Sequence, residues 1–337
     1  MYEQITSNRR KSWLLMSGFL LVYAAIAGAL YLYMGSVGAV IVGVIAFLMV
    51  IGSLFWGDNM AVAVAGGREI KKKEEAPELY RMVENLAITA GLKMPRVYVS
   101  PDHSPNAFAA GRSEEQALIC VNQGLLDVLD DQELYGVLAH EMAHIRNLDV
   151  RLMTYAAVLA GSIAMIAQII TNSLFWGGGN REGGGNILAL VAVIATALLA
   201  PLAAMLIQFS ISRKREYVAD ASGAELSRYP QGLASALRQI SGNMRPTDRP
   251  EDAIAHMMIA PTMKASGKAS TLFATHPPTE DRIARLTEMA GGIDHRHDRP
   301  VGEYFRSPFS GQADAIAEGE LGMAFAPDSS ATSDPRA

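Results

Sequence analysis

Cysteine is almost absent: Cys120 is the only one, so no intramolecular disulfide can brace the fold. Its setting, Ala117-Leu118-Ile119-Cys120-Val121, reads as a buried strand and makes it a core thiol rather than a reactive one. The lack of disulfides fits a reducing compartment. Charge is scarce as well. Asp, Glu, Lys and Arg make up 19% of the 337 residues against 50% hydrophobic residues, a balance too apolar for an ordinary soluble globule. A net charge of −5 leaves no basic surplus, which gives no case for nucleic acid as a partner. Beyond two pairs of hydrophobic runs there is no internal repeat, and nothing in the sequence fixes an oligomeric state.

What the chain has in excess is uncharged apolar sequence. Trp13 to Tyr33 carries no charge and is long enough, at about 20 residues, to cross a bilayer. Val37 to Phe55 follows after the turn residues Gly35 and Ser36, so residues 12–57 are expected to form a transmembrane hairpin. Ala27-Gly28-Ala29 imitates a signal-peptidase site, but a second run so close behind argues against cleavage. Arg9-Arg10-Lys11 precede the hairpin, Arg68, Lys71, Lys72 and Lys73 follow it, and its turn has no basic residue. The positive-inside rule therefore puts both flanks, including residues 1–11, in the cytoplasm. Leu152 to Ile170 and Ile187 to Ile207 predict a second hairpin over 152–211, around a glycine loop at 177–185, with Pro201 kinking its second helix. Arg146 and Arg151 before it and Arg213, Lys214 and Arg215 after it give the same orientation. Buried core helices, or a hairpin that only dips into the membrane, are the alternative.

Between and beyond the runs lie the polar parts. Pro77 to Leu92 reads as a surface helix with the apolar stripe Leu79, Met82, Val83 and Leu86. Arg96 to Val99, Asn106 to Gly111 and Ala117 to Val121 read as strands. Asp130 to Leu148 reads as one helix, opened by a capping box of Asp130 and Glu133. That helix carries His140-Glu141-Met142-Ala143-His144. Residues four apart share a helix face, so two imidazoles one turn apart can grip one Zn²⁺, and Glu141 can act as base on a water there. This H-E-x-x-H pattern is expected by chance on the order of once in a hundred such chains.

A catalytic zinc takes three protein ligands and keeps one position open. The segment after the fourth run, Arg215-Glu216-Tyr217-Val218-Ala219-Asp220, again sets two carboxylates one helical turn apart. Glu216 can supply the third ligand, and Asp220 can accept the outer N–H of a ligand histidine. The competing reading is a solvated face paired to Arg213 or Arg215; spacing alone does not choose. If 152–211 is a hairpin, it returns Glu216 to the membrane surface at which the motif helix ends.

Taken in order, these motifs resemble the HtpX-type membrane zinc endopeptidases, relatives of the CAAX prenyl proteases. The resemblance runs to about Gly292 and rests on the paired hairpins, Asn106-Ala107-Phe108-Ala109, the His140 to His144 motif, Glu216 to Asp220, and Thr275-His276-Pro277-Pro278 with Arg282-Ile283 beyond. It implies a mainly α, α+β chain: a zincin-like metalloprotease domain with a small β-sheet, carried on two transmembrane hairpins. The domain would be built from 75–150 and 212–300. It implies one zinc per chain held by His140, His144 and Glu216, Glu141 as general base, and Asp220 behind the ligands. Asn106 and His276 match positions near the cleft, as candidate contacts to substrate or transition state. The implied role is cleavage of misfolded or damaged membrane proteins on the cytoplasmic side of the cell inner membrane, with the lipid bilayer as its setting. A CAAX-type prenyl protease and a non-catalytic scaffold with a structural zinc are the rival functions. His256 reads as a packed histidine, and residues 305–337 as a disordered tail.

Overall fold

The computed structural model describes residues 2–34, 36–159, 161, 213–243, 257–259 and 277–291. Most of the expected second hairpin, together with His256, His276 and the expected tail, lies outside the described residues. Helix α1 (Tyr2–Met34) and helix α2 (Ser36–Ala65) pack along one another where the first hairpin is expected. Their composition explains them. Neither has a proline, and long uncharged runs of Leu, Ala, Val and Ile leave nothing to interrupt the helical ladder. Among the described residues no helix is long and apolar enough to cross a membrane. Yet among the described residues the large apolar side chains left exposed lie on α1 and α2, apart from Ile88 and Met289; Leu21 is 73% and Phe47 65% exposed.

The sheet has four strands, β1 (Arg68–Glu69), β2 (Arg96–Ser100), β3 (Ala107–Ala110) and β4 (Leu118–Asn122), in the spatial order β1-β2-β4-β3. β2 runs parallel to β4, with Tyr98 opposite Cys120, while β3 is antiparallel to β4, with Phe108 opposite Cys120. β1 was not expected. It is two residues long, too short to show a period, and it pairs antiparallel with β2 through Arg68 and Val99. Helix α3 (Pro77–Ala90) forms as expected. Pro77 opens it, where a missing N–H costs nothing, and Gly91 closes it at φ 69°. Of its expected stripe, Leu79, Val83 and Leu86 are buried and Met82 is half-buried, with Ala87 buried beside them.

After β4 come a short helix α4 (Gln123–Val128), the motif helix α5 (Asp131–Arg146) and helical residues 149–159, here α6. The motif helix ends at Arg146, short of the expected Leu148, because Leu148 turns to φ 56°. A branched residue with a Cβ adopts that region rarely and at a cost of about 1–2 kcal/mol. The later part contributes α7 (Arg213–Ser227), α8 (Pro230–Gly242) and α9 (Thr279–Met289).

Two cores hold these elements. One is the sheet: Tyr98, Phe108, Leu118 and Cys120 pack with Ala61, Val62 and Ala65 of α2, Met153 of α6, and Met257 and Met258. Cys120 is fully buried, as expected of a core thiol. The other is α5 against α7 and α8. Glycines permit an unusually close approach there. A Cβ at Gly223 of α7 would sit 2.9 Å from the backbone nitrogen of His140, and one at Gly136 of α5 would sit 2.6 Å from that of Leu233. Backbone therefore lies on backbone, and α7 is pressed against α5 at the level of His140.

Candidate metal centre

The motif helix starts where the sequence places it. The Asp130 carboxylate accepts hydrogen bonds from the backbone N–H of Gln132 (2.9 Å) and Glu133 (2.8 Å), and the Glu133 carboxylate accepts from the Asp130 N–H at 3.1 Å. Glu133 also accepts from the Ser235 hydroxyl at 2.5 Å, which ties α5 to α8. Two turns further on, His140, Glu141 and His144 are all but fully buried, at 1%, 1% and 3% exposure. Glu216 and Asp220 on α7 are buried too, at 4% each, which rules out a solvated face.

Three donors converge. His140 Nε2 and His144 Nε2 stand 3.1 Å apart. The Glu216 carboxylate oxygens lie 3.8 Å from His140 Nε2 and 3.6 Å from His144 Nε2. Bond lengths of about 2.0–2.1 Å to a tetrahedral zinc imply donor–donor separations of about 3.3 Å, so the Glu216 oxygens need move in only slightly and the two imidazoles spread slightly to close on the ion. The chemistry of the set, two neutral imidazole nitrogens and one carboxylate, also suits zinc. No further His, Cys, Asp or Glu joins the cluster among the described residues.

Each histidine has a carboxylate behind it. Asp220 Oδ1 lies 3.0 Å from His140 Nδ1, close but off the line of a well-aligned N–H···O bond. Asp220 is in turn clasped by Arg282 of α9, whose Nε and Nη2 donate to its two oxygens at 2.9 and 2.7 Å. The remaining Arg282 donor, Nη1, goes to the backbone carbonyl of Ile259 at 3.0 Å. Behind His144 stands Asp149, with Oδ2 3.2 Å from Nδ1. Asp149 is approached by Arg215 Nη1 at 3.9 Å and receives the Asn8 side-chain amide at 2.7 Å. Arg215 thus approaches Asp149, with Glu216 a further charge that it feels.

These contacts bear on the protonation of the clustered side chains. Burial lowers His140 to about 4, against the pull of Asp220. Burial also works against a charged His144, but Asp149 and Glu216 outweigh it and carry this imidazole up to about 9. The Nε2 atoms, 3.1 Å apart, face one another, and any proton between them must leave when a metal binds. Burial lifts the Glu141 carboxyl to about 8. Burial pushes Asp220 up, but Arg282 and His140 overcome this and hold it at about 2.

Strand β3 runs beside the centre. The Ala109 backbone N–H donates to the Glu141 carboxylate, and the Ala107 carbonyl accepts from the Ile259 N–H at 3.1 Å. Asn106 is buried at the head of this strand, its carbonyl accepting from the Asn122 N–H at 2.9 Å. His276 lies outside the described residues. Sequence reasoning gave no role to Asn8, Asp149 or Arg282. Asp149 carried no signal, because five residues beyond His144 on an unbroken helix is the wrong face; the turn at Leu148 brings it back. Arg282 stood among the motif residues of the resemblance without a role, and it lies one turn before Leu286 on the buried stripe of α9.

The model of peptidase family M48 matches residues 73–290. A curated protease HtpX homolog of Tropheryma whipplei (strain Twist) is 41% identical over 292 residues, covering 86% of this chain and 98% of its own length. One from Dictyoglomus thermophilum is 43% identical over 297 residues, 86% of this chain and 94% of its own. Among solved structures, the S. mikatae Ste24p crystal structure matches at 18% identity and a TM-score of 0.42, covering 85% of this chain and 67% of its own. A mainly helical domain with a small mixed sheet, the H-E-x-x-H helix at its centre and a family match over most of its length lead to one assignment: the chain belongs to peptidase family M48.

Proposed function

We propose that this chain is a membrane-bound zinc endopeptidase that cuts misfolded or damaged membrane proteins at the cytoplasmic face of the cell inner membrane. That it is a zinc metallopeptidase acting on peptides or proteins follows from its family. The finer reading concerns the site, the substrate and the orientation. The convergence of His140, His144 and Glu216 carries it. The exposed apolar faces of α1 and α2 suit lipid, and the basic residues flanking them support a cytoplasmic position for the domain.

In this reading His140, His144 and Glu216 hold the zinc, Asp220 backs His140, and Glu141 is the catalytic base. When bound there, zinc polarises the peptide carbonyl and makes water acidic enough to be used as nucleophile near neutral pH. Glu141 takes a proton from the attacking water as its oxygen bonds to the carbonyl carbon. It then delivers that proton to the amine nitrogen as the C–N bond breaks. Glu141 is buried beside both imidazoles, and the Ala109 N–H aims its carboxylate along β3. The substrate lies extended beside β3, pairing with backbone and so tolerating many side chains. Asn106, at the head of that strand, is the candidate contact to the bound peptide, and His276 the candidate contact to the transition state. The three-donor cluster among the described residues speaks against a structural zinc, which is closed by four.

The test is a pair of variants of the full-length protein in detergent. Glu141→Gln should keep stoichiometric zinc and lose casein cleavage by a factor of about 10² or more. Glu216→Ala should lose the zinc. Cleavage surviving in the first, or full metal content in the second, overturns the assignment. Cleavage confined to a farnesylated peptide would instead identify a prenyl protease.

A further inference from the structure

We propose that Asn8, near the start of α1, is a positioning residue of the metal centre, acting through Asp149 on His144. The inference rests on the reading of His144 as a zinc ligand. Asn8 is 4% exposed although it belongs to the polar N-terminal segment before the first apolar run. Its amide nitrogen has two hydrogens, and both are used. One goes to Asp149 Oδ1 at 2.7 Å and the other to the Asn147 carbonyl at 3.1 Å. The acceptors sit on either side of Leu148, the residue held at φ 56°. Asn8 therefore splints the one strained turn that rotates Asp149 under His144.

The chemistry requires that splint. Asp149 Oδ2 meets His144 Nδ1 at 3.2 Å, so the proton stays on Nδ1 and the lone pair is presented at Nε2, where the metal belongs. A carboxylate orients an imidazole only if its own plane is fixed. Asn8 fixes it by binding the opposite oxygen, while Arg215 at 3.9 Å supplies charge but no close bond. A neutral amide holds Asp149 without neutralising it, so the carboxylate keeps its full effect on the ring. Asn8 is itself held, since the Ser12 hydroxyl donates to its carbonyl at 2.9 Å. The first helix thus has a second role beside any in the membrane. It reaches 139 and 141 residues along the chain to complete the support of a ligand.

The experiment measures zinc affinity of the full-length protein in detergent by competition with a chromophoric chelator, and the ligand-field spectrum of the Co²⁺-substituted protein. Asp149→Asn should weaken zinc by about 10–100-fold, the usual effect of losing such a partner. Asn8→Ala should weaken it severalfold and shift the cobalt bands. Asn8→Asp, which sets like charges together, should weaken it further. With Asp149→Asn already present, Asn8→Ala should add little, because both act on one path. Wild-type zinc affinity in both Asn8 variants, or full additivity in the double variant, overturns the proposal. A lowered melting temperature with unchanged affinity and cobalt spectrum would also overturn it, as the mark of a purely structural contact. A wild-type protein that binds no zinc, or a His144→Ala variant that binds it normally, would instead refute the ligand assignment.

Discussion

Arg282→Met should separate stability from metal binding more cleanly than any other change. The guanidinium is 1% exposed and makes three hydrogen bonds, two to Asp220 and one to the Ile259 carbonyl. Removing it strands the Asp220 carboxylate in the interior, 3.0 Å from His140 Nδ1. Breaking a buried ion pair from one side costs about 3–5 kcal/mol, mostly because the surviving charge has no partner. The lost bond to Ile259 adds about 1 kcal/mol or more. Metal-free Arg282→Met should therefore unfold with a penalty of about 4–6 kcal/mol in urea. Zinc affinity should fall by about 10–100-fold, because Asp220 no longer holds His140. Adding Asp220→Asn removes the stranded charge, so the double variant should regain most of the stability yet keep the weak zinc binding. Two assays read these outcomes: urea unfolding of the chelated protein and zinc competition. A single variant within about 1 kcal/mol of wild type, or a double variant no more stable than the single, would refute the stranded-charge reasoning.

The close contact of α7 on α5 gives a second prediction. Gly223→Ala puts a methyl 2.9 Å from the His140 backbone nitrogen, so α7 must retreat and carry Glu216 away from the imidazoles. Zinc binding and cleavage should both drop at least tenfold with the helix content of the circular dichroism spectrum preserved. The protonation states give a third. His144, raised to about 9 from 6.5, contributes stability that is complete below pH 6.5 and lost as pH rises through 9. Glu141, raised to about 8 from 4.5, also binds its proton more tightly in the folded state and acts in the same direction. His140 and Asp220, both lowered, act only on the acid side. Chelated protein should thus be less stable at pH 9 than at pH 6.5, by a few kcal/mol as an order of magnitude. Zinc should flatten that slope, and equal melting temperatures at the two pH values without metal would contradict it.

The legible parts of this molecule are those written in local pattern. The capping box of Asp130 and Glu133, the histidines one turn apart and the carboxylates one turn apart are short-range signals, and the structure brings those groups together. The strands β2, β3 and β4 were legible for the same reason. Less local features were not. β1 is too short for any period. Asp149 depends on a left-handed leucine, a position where sequence gives no glycine to flag the turn. Arg282 and Asn8 owe their roles to partners 62 and 141 residues away, which periodicity cannot see.

The outer rim of β3 has a consequence for what can be digested. The Ala107 carbonyl already has a tenant in Ile259, and the Ala109 N–H is committed to Glu141. A polypeptide laid on this rim in the proposed manner finds few vacant hydrogen-bonding groups, so its grip is short. It must compensate by being pliable, with no tertiary structure of its own to give up. On that reading, selection would go by looseness rather than by sequence.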